Sequence, residues 1–349
     1  MNVKKKNMSP KTIKKENGSN KKKEKKHLVI KTLILILIFL TSVEIYIWFW
    51  SKGDKIEPYE WGSRLDITYK INECYDLFTN REHKDKTKIV IIGDSRPECA
   101  FYPKLCDDYF DDKTISYNLA IAGTAIRVQS LLIQKVIIPK LNPDVIIWEL
   151  TLPQDFADDE QTEKEEDNIM RTSMGRYYTG NTRGLDFEET CFYYLFKYSR
   201  IYRYRSNIRP NLFYLNEYEK AKIAYYEDWY ERGYFKHYDI VSDINQSFSE
   251  VEHVYKLNED SVDEFFETIE FIEENTDYFL VINGPVLYQK SIYPDIYTIL
   301  NKLSPKNFLD LNGDELFDYD ELWLNHYHLN ICGATLYTRL VYEQLSIYI

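Results

Sequence analysis

The sequence has few cysteines, and no excess of positive charge outside one end. Its 349 residues hold five cysteines, Cys74, Cys99, Cys106, Cys191 and Cys332. The number is odd and no C-x-x-C occurs, which argues against a zinc ribbon or a redox dithiol. The short spacing of Cys99 and Cys106 leaves a disulfide open for an exported domain. No internal repeat is found. The net charge is −12, but residues 1–26 hold eleven lysines against Glu16 and Glu24, so the remainder carries −21. A body that acidic lacks the basic face a phosphate backbone requires, and nucleic acid is excluded as a partner. The basic stretch is a terminal tail, a charge pattern suited to a membrane surface. With 44% hydrophobic and 29% charged residues, the chain is neither disordered nor too small to bury a core.

One long apolar run is present, LVIKTLILILIFLTSVEIYIWFW at 28–50. As a helix it spans about 35 Å, enough to cross a hydrocarbon core of about 30 Å. Its apolar character runs all round rather than in a stripe, unlike a surface helix of a soluble domain. It is too long for a cleaved signal peptide, and WFWSKGD offers no small residues for cleavage. Residues 27–50 therefore read as a retained transmembrane signal-anchor. Residues 1–26 then form a basic cytoplasmic tail, with 51–349 outside the cell membrane in a single-pass topology. Trp48 and Trp50 suit the outer interface. Glu44 lies inside the span, where a carboxylate costs a few kcal/mol unless paired or near water. It either contacts another membrane protein or reaches the outer boundary two turns away.

Beyond the anchor, 51–85 read as a linker followed by an approach helix over 65–79, and the main domain occupies 86–349. TKIVIIGD, TISYNLAI (114–121), DVIIWEL (144–150), DYFLVING (277–284) and NFLDLN (307–312) are short apolar runs of the kind that form buried strands. Helical patterns fall at 125–139 (stopped by Pro139), 260–275, 288–303 and 329–346. The alternation predicts an α/β fold in three layers, α/β/α, with a mostly parallel five-stranded sheet of flavodoxin-like kind. In such a sheet the functional crevice lies at the carboxyl ends of the strands. Residues 153–255 interrupt the alternation as one long aromatic-rich helical insertion that could wall that crevice. Fourteen tyrosines fall between 177 and 238, with Tyr225, Tyr226 and Trp229 among the aromatics. They read as packing of the insertion in preference to a stacking platform for sugar rings.

The chemistry-bearing residues lie at two ends of this domain. Gly93-Asp94-Ser95-Arg96 follows the first strand, where a strand-to-helix turn would expose the Ser95 hydroxyl beside backbone N–H groups that could steady an oxyanion. Helix capping by Ser and Asp explains the same tripeptide more plainly. Near the C-terminus stands Asn325-His326-Tyr327-His328-Leu329-Asn330. A histidine just before the last helix would return to the sheet edge that carries Ser95. His326 reads as a loop residue, because no carboxylate or cysteine spacing supports a metal site.

G-D-S at the first strand together with H-L-N-x-x-G-A near the C-terminus resembles the SGNH (GDSL-like) hydrolase superfamily. The similarity is greatest to its membrane-anchored, extracytoplasmic branch, which includes proteins of teichoic-acid D-alanylation and of alginate and polysaccharide O-acetylation. The resemblance covers about 86–152 and 277–349. It implies Ser95 as nucleophile and His328 as general base. It also implies Gly123, whose N–H joins that of Ser95 in an oxyanion hole, Asp94 as a structural turn acid, and Arg96 as a holder of an anionic or carbonyl group. Asn330 caps the last helix or pins its loop. Two departures stand out. The family's D-x-x-H is here Asn325-x-x-His328, which keeps a hydrogen-bond acceptor but loses the charge; Asp318 or Asp320 could supply it if the loop folds back. The family's oxyanion Asn after the third strand has no match, leaving Thr151 or Gln154 as candidate donors. Glu149 enters the crevice or faces solvent.

The implied activity is a serine esterase or O-acyltransferase acting on a cell-envelope glycan or lipid-linked polymer through an acyl-serine intermediate. It needs no cofactor, and a polytopic membrane acyltransferase is a candidate partner. The competing reading is a catalytically decayed glycan-binding or scaffold subunit. Asn325 and the missing Asn favour the second reading; Ser95, Gly123 and His328 favour the first.

Overall fold

A computed structural model describes residues 10–152, 155–156, 160–212, 230–235, 249–252, 257–287, 289–292, 294–325 and 327–349. Five runs rich in β-branched residues form one all-parallel sheet: β1 (Thr87–Ile92), β2 (Thr114–Asn118), β3 (Val145–Leu150), β4 (Tyr278–Asn283) and β5 (Phe308–Asp310). The order is β2-β1-β3-β4-β5. β2 and β3 flank β1 on opposite sides, so the chain leaves β1 at the point where strand order reverses. The connections there diverge and open a crevice at the strand ends.

Alternate side chains of the strands feed two cores. Val90, Ile92, Tyr117, Ile146, Trp148 and Val281 face one layer of helices; Ile89, Ile91, Ile147, Leu280 and Ile282 face the other. The first layer contains α2 (Leu65–Thr79) and α5 (Ile126–Leu132). The second contains α3 (Ser95–Ala100), α4 (Pro103–Tyr109) and the last helix, α13 (Ile331–Leu345). The three-layer arrangement and all five strands agree with the sequence pattern.

Several local expectations need correction. Pro139 does not stop the helix that begins at Ile126. A π-helical turn at Ile133–Ile137 precedes it, and helix continues through Ile138–Leu141 until Asn142 adopts a left-handed conformation. The wider turn accommodates a ring that has no N–H to donate to the i−4 carbonyl. The expected helix over 288–303 is shorter. Gln289–Ile292 is a strand paired in parallel with Ser249–Glu252, and only α12 (Pro294–Leu300) is helical. Pro294 opens the helix at its first turn, where its missing N–H costs no bond.

Residues 51–64 are packed rather than slack. Glu57 is buried and accepts from the Trp61 indole (2.7 Å), the Tyr178 hydroxyl (3.0 Å) and Lys140. Satisfying a buried carboxylate this fully fixes the segment against the domain.

The insertion contributes α6 (Glu160–Met170), α7 (Ser173–Thr179), α8 (Phe187–Tyr198), α9 (Arg200–Arg203) and α10 (Arg205–Leu212). Many of its tyrosines serve packing: Tyr178 stacks on Trp61 at 6.0 Å, Tyr177 meets Phe196 edge-on, and Tyr204 donates to Asp54. Tyr225, Tyr226 and Trp229 lie outside the described residues. α11 (Glu259–Asn275) returns the chain to β4.

A single N-terminal helix, α1 (Pro10–Trp50), contains one stretch long and apolar enough to cross a membrane, Lys25–Trp50. Such a helix is a candidate single-pass anchor, and a signal sequence would share the same length and composition. Glu44 finds partners within the chain. Its carboxylate accepts from Ser199 Oγ (2.5 Å) and from the backbone N–H groups of Arg200 (2.8 Å) and Ile201 (3.4 Å). The carboxylate thus caps α9 of the same chain.

Candidate active site

Gly93 closes β1 with φ +153°. A Cβ there would sit 2.5 Å from Pro97 Cγ and 2.7 Å from the Glu149 carbonyl oxygen, so the close approach of backbone requires glycine. Asp94 is the N-cap of α3; its carboxylate accepts from the Arg96 N–H at 2.9 Å. Ser95 is then the first helical residue. The Gly123 loop docks on the same turn, with Ile121 N (2.9 Å) and Thr124 Oγ1 (3.4 Å) both donating to the Gly93 carbonyl. Neither the Ser95 N–H nor the Gly123 N–H is hydrogen-bonded to another described residue. Gly123 adopts φ +70° and borders a cavity of about 280 Å³, whose other walls include Trp61, Arg64, Asn168 and Thr172.

The second loop arrives from the other end of the domain. Trp323 and Leu329 bridge, and Leu324 N donates to the His328 carbonyl at 2.8 Å, drawing 324–328 into a tight loop. Asn330 does both jobs expected of it. Its Oδ1 accepts from Cys332 N and Gly333 N at the start of α13, and its amide donates to the Glu321 and Trp323 carbonyls.

Asn325 Oδ1 accepts from Tyr327 N (2.9 Å) and His328 N (3.0 Å), and it lies 3.1 Å from His328 Nδ1. Two backbone donors on this atom identify it as the amide oxygen. Nδ1 must therefore carry the ring proton, and Nε2 is left as an acceptor. Nε2 lies 2.9 Å from Ser95 Oγ. The chain thus brings Ser95, His328 and Asn325 into one line of hydrogen bonds. Burial pushes the His328 pKa below 6.5; Asp94 opposes that shift and Arg96 adds to it. The ring is neutral at pH 7, the state a general base needs.

The surroundings revise several expectations. Neither Asp318 nor Asp320 takes the place beside the imidazole, because Asn325 occupies Nδ1; the carboxylate that acts on His328 is that of Asp94. Thr151 is buried, and its backbone N–H is committed to Asp155 Oδ2 at 2.6 Å. It has only a hydroxyl to offer, which lacks a partner among the described residues. Gln154 and His326 lie outside the described residues. Arg96 is buried, forms no ion pair among the described residues, and lays its guanidinium 5.7 Å over the Tyr327 ring. Glu149 does not face solvent: it is 1% exposed. One of its oxygens accepts from the Tyr337 hydroxyl and the other has no partner among the described residues. Burial, aided by Asp94, pushes Glu149 up to about 8. Asp155 is likewise raised well above the carboxylate range by burial and by Asp94.

Sequence reasoning missed Asp155 and Tyr337. The acidic run around Asp155 looks like a solvated stretch, and Tyr337 is one of many tyrosines. All five cysteines, Cys99 and Cys106 included, are free thiols. Behind α3, Lys70 Nζ pairs with Glu98 at 2.7 Å and donates to the Ala120 carbonyl at 2.6 Å, with both side chains buried.

No family model and no curated protein matches the chain. Among solved structures it is similar to two catalytic mutants of Axe2, an acetylxylan esterase from Geobacillus stearothermophilus. The TM-scores are 0.37 and 0.38 at 10% identity, covering 74% of this chain and 94% of theirs. A third similar structure, another Axe2 mutant described as an acetyl-xylooligosaccharide esterase, has a TM-score of 0.37 with the same identity and coverage.

Proposed function

We propose that this chain is an esterase or O-acyltransferase of SGNH-like kind, anchored by α1 with its α/β domain outside the cell membrane. It would act on acyl esters of a cell-envelope glycan or lipid-linked polymer. The observation that carries the reading is the 2.9 Å contact between Ser95 Oγ and His328 Nε2, with Asn325 fixing the tautomer.

The chemistry follows from that contact. Ser95 Oγ attacks the acyl carbonyl carbon while its proton moves to Nε2. The oxyanion forms beside the Ser95 and Gly123 N–H groups, which are otherwise unbonded among the described residues. His328 returns the proton to the departing alkoxide, leaving an acyl-Ser95 ester. Water or a sugar hydroxyl then attacks that ester, giving hydrolysis or transfer; His328 takes the incoming proton and restores it to Ser95. Arg96, which forms no ion pair among the described residues, offers its guanidinium to an anionic or carbonyl group of the substrate. The cavity beside Gly123 is near the small end of ligand pockets, about 300–1,000 Å³. A polytopic acyltransferase as acyl source is the partner this chemistry suits.

Asn325 supports the second reading, a catalytically decayed scaffold or glycan-binding subunit, because it brings no charge to the imidazolium. Fluorophosphonate labelling of the full chain in detergent separates the two. The expected result is labelling that Ser95→Ala abolishes and that His328→Ala slows by about 10²-fold or more. A folded wild type that takes no label would leave the scaffold reading.

A further inference from the structure

The insertion helix α8 presents the wrong side to water. Phe187, Cys191, Tyr194, Leu195 and Tyr198 fall at i, i+4, i+7, i+8 and i+11, one continuous stripe of a helix. All five are exposed, Phe187 by 86% and Tyr198 by 71%. The opposite face buries Tyr193 and Phe196. Fraying does not explain the stripe, because Asp186 and Glu189 close a complete capping box at the helix start. Tyr194 and Tyr198 are stacked at 6.1 Å, so the aromatic surface is already ordered.

The position of α8 identifies what covers it. Its C-terminal end runs into Ser199 and α9, whose first N–H groups are held by Glu44 of α1. Glu44 lies six residues before Trp50, about 9 Å along the helix axis. Arg200 and Arg203 are also tied to α1's exit, through Asp54 at 3.1 and 3.4 Å. The neighbouring turns of α1 expose Ile45, Tyr46 and Phe49. An amphipathic helix in a bilayer interface buries its apolar face about 5–10 Å below the headgroups, and aromatic side chains favour that depth. Glu188 borders the stripe in the first turn and Lys197 in the last, where both can reach polar headgroups.

We propose that α8 is a membrane-interface helix whose Phe187–Tyr198 stripe lies in the outer leaflet beside α1. The proposal rests on the reading of α1 as a membrane span. It gives Glu44 a role as well: the carboxylate holds the interfacial helix at its depth instead of contacting a second protein.

Cys191 lies in the stripe and supplies a reporter. The experiment uses the full chain with Cys332→Ser, since Cys74, Cys99 and Cys106 are buried. Cys191 is labelled with an environment-sensitive nitrobenzoxadiazole dye and the protein is reconstituted in phosphatidylcholine–phosphatidylglycerol vesicles, with and without doxyl-labelled lipid. The expected result is blue-shifted emission that the doxyl lipid reduces by about twofold or more, with less than about a tenth lost from a label on Cys332 in a Cys191→Ser chain. Leu195→Glu with Tyr198→Glu, both at exposed positions, should weaken the quenching.

A Leu37→Cys label in a Cys191→Ser, Cys332→Ser chain reports on the anchor separately. Quenching there without quenching at Cys191 overturns the interface helix while leaving the span intact. Blue-shifted emission at Cys191 that ignores the lipid quencher means a protein cover, a second copy or another membrane protein, and also overturns it. Quenching at neither site removes the membrane span and this proposal with it.

Discussion

Replacing Asn325 by Asp tests the catalytic arrangement where it departs from an acid–base–nucleophile triad. The change keeps the oxygen that accepts from Tyr327 N and His328 N, so the loop has no geometric reason to move. It adds a negative charge 3.1 Å from His328 Nδ1. Coulomb's law at that separation gives about 5 kcal/mol at an effective dielectric of 20 and about 1.3 kcal/mol in water. Residue 325 is exposed, so the lower figure governs. A differential stabilisation of about 1–2 kcal/mol for the imidazolium corresponds to about a tenfold faster acylation. This is far below the 10⁴ or so that the reverse exchange costs in a serine-protease triad, where the wrong tautomer results; here the tautomer is already correct. The same charge must raise the His328 pKa by about one unit, since 1.36 kcal/mol is one unit. Rates of fluorophosphonate labelling, or of hydrolysis of a simple acetyl ester, measured against pH read both effects. A faster plateau together with an acid limb moved upward is the expected pair. An acid limb that moves while the plateau stays put or falls would refute the idea that imidazolium stabilisation limits this site.

In the wild type, burial holds His328 neutral to below pH 6.5, so activity should rise with pH through a midpoint under 6.5; a midpoint above that value counts against His328 as the base. Glu149, raised to about 8, is protonated in the folded chain and ionised in the unfolded chain between roughly pH 4.5 and 8. Its contribution to stability is therefore complete below pH 4.5 and declines as pH rises towards 8. Denaturant unfolding of wild type and Glu149→Gln should diverge in the variant's favour by about 3 kcal/mol between pH 4.5 and 7, and parallel profiles would show that the carboxylate is already charged. Lys70→Met removes the ammonium that pairs with buried Glu98 and should cost about 3–5 kcal/mol by the same assay, while Lys70→Met with Glu98→Met recovers most of it. A loss under about 1 kcal/mol in the single variant would mean that water or another partner satisfies Glu98.

The strands were legible because a parallel sheet covered on both faces demands unbroken apolar runs, and TKIVII, VIIWEL and YFLVIN are such runs. The approach helix over 65–79 was legible from its one-sided apolar spacing. Ser95 and His328 were visible as residues with local signatures, but their contact depends on strand order, which periodicity does not encode. What escaped was tertiary. The burial of Glu57 requires Tyr178 and Lys140, both more than eighty residues away. Glu44 looked like an isolated charge because its partners, Ser199 and Arg200, lie in the insertion, 155 and 156 residues away. Asp155 carries no local mark of its burial, since an acidic run ordinarily lies in solvent.

The packed stretch between α1 and α2 also determines how far the domain can roam. Ser51, Glu57 and Trp61 are all enclosed, so the chain leaving α1 is a bracket and not a leash. With α1 in a bilayer and the proposed chemistry at Ser95, the site would work at one fixed altitude, and only ester groups carried to that height could meet it.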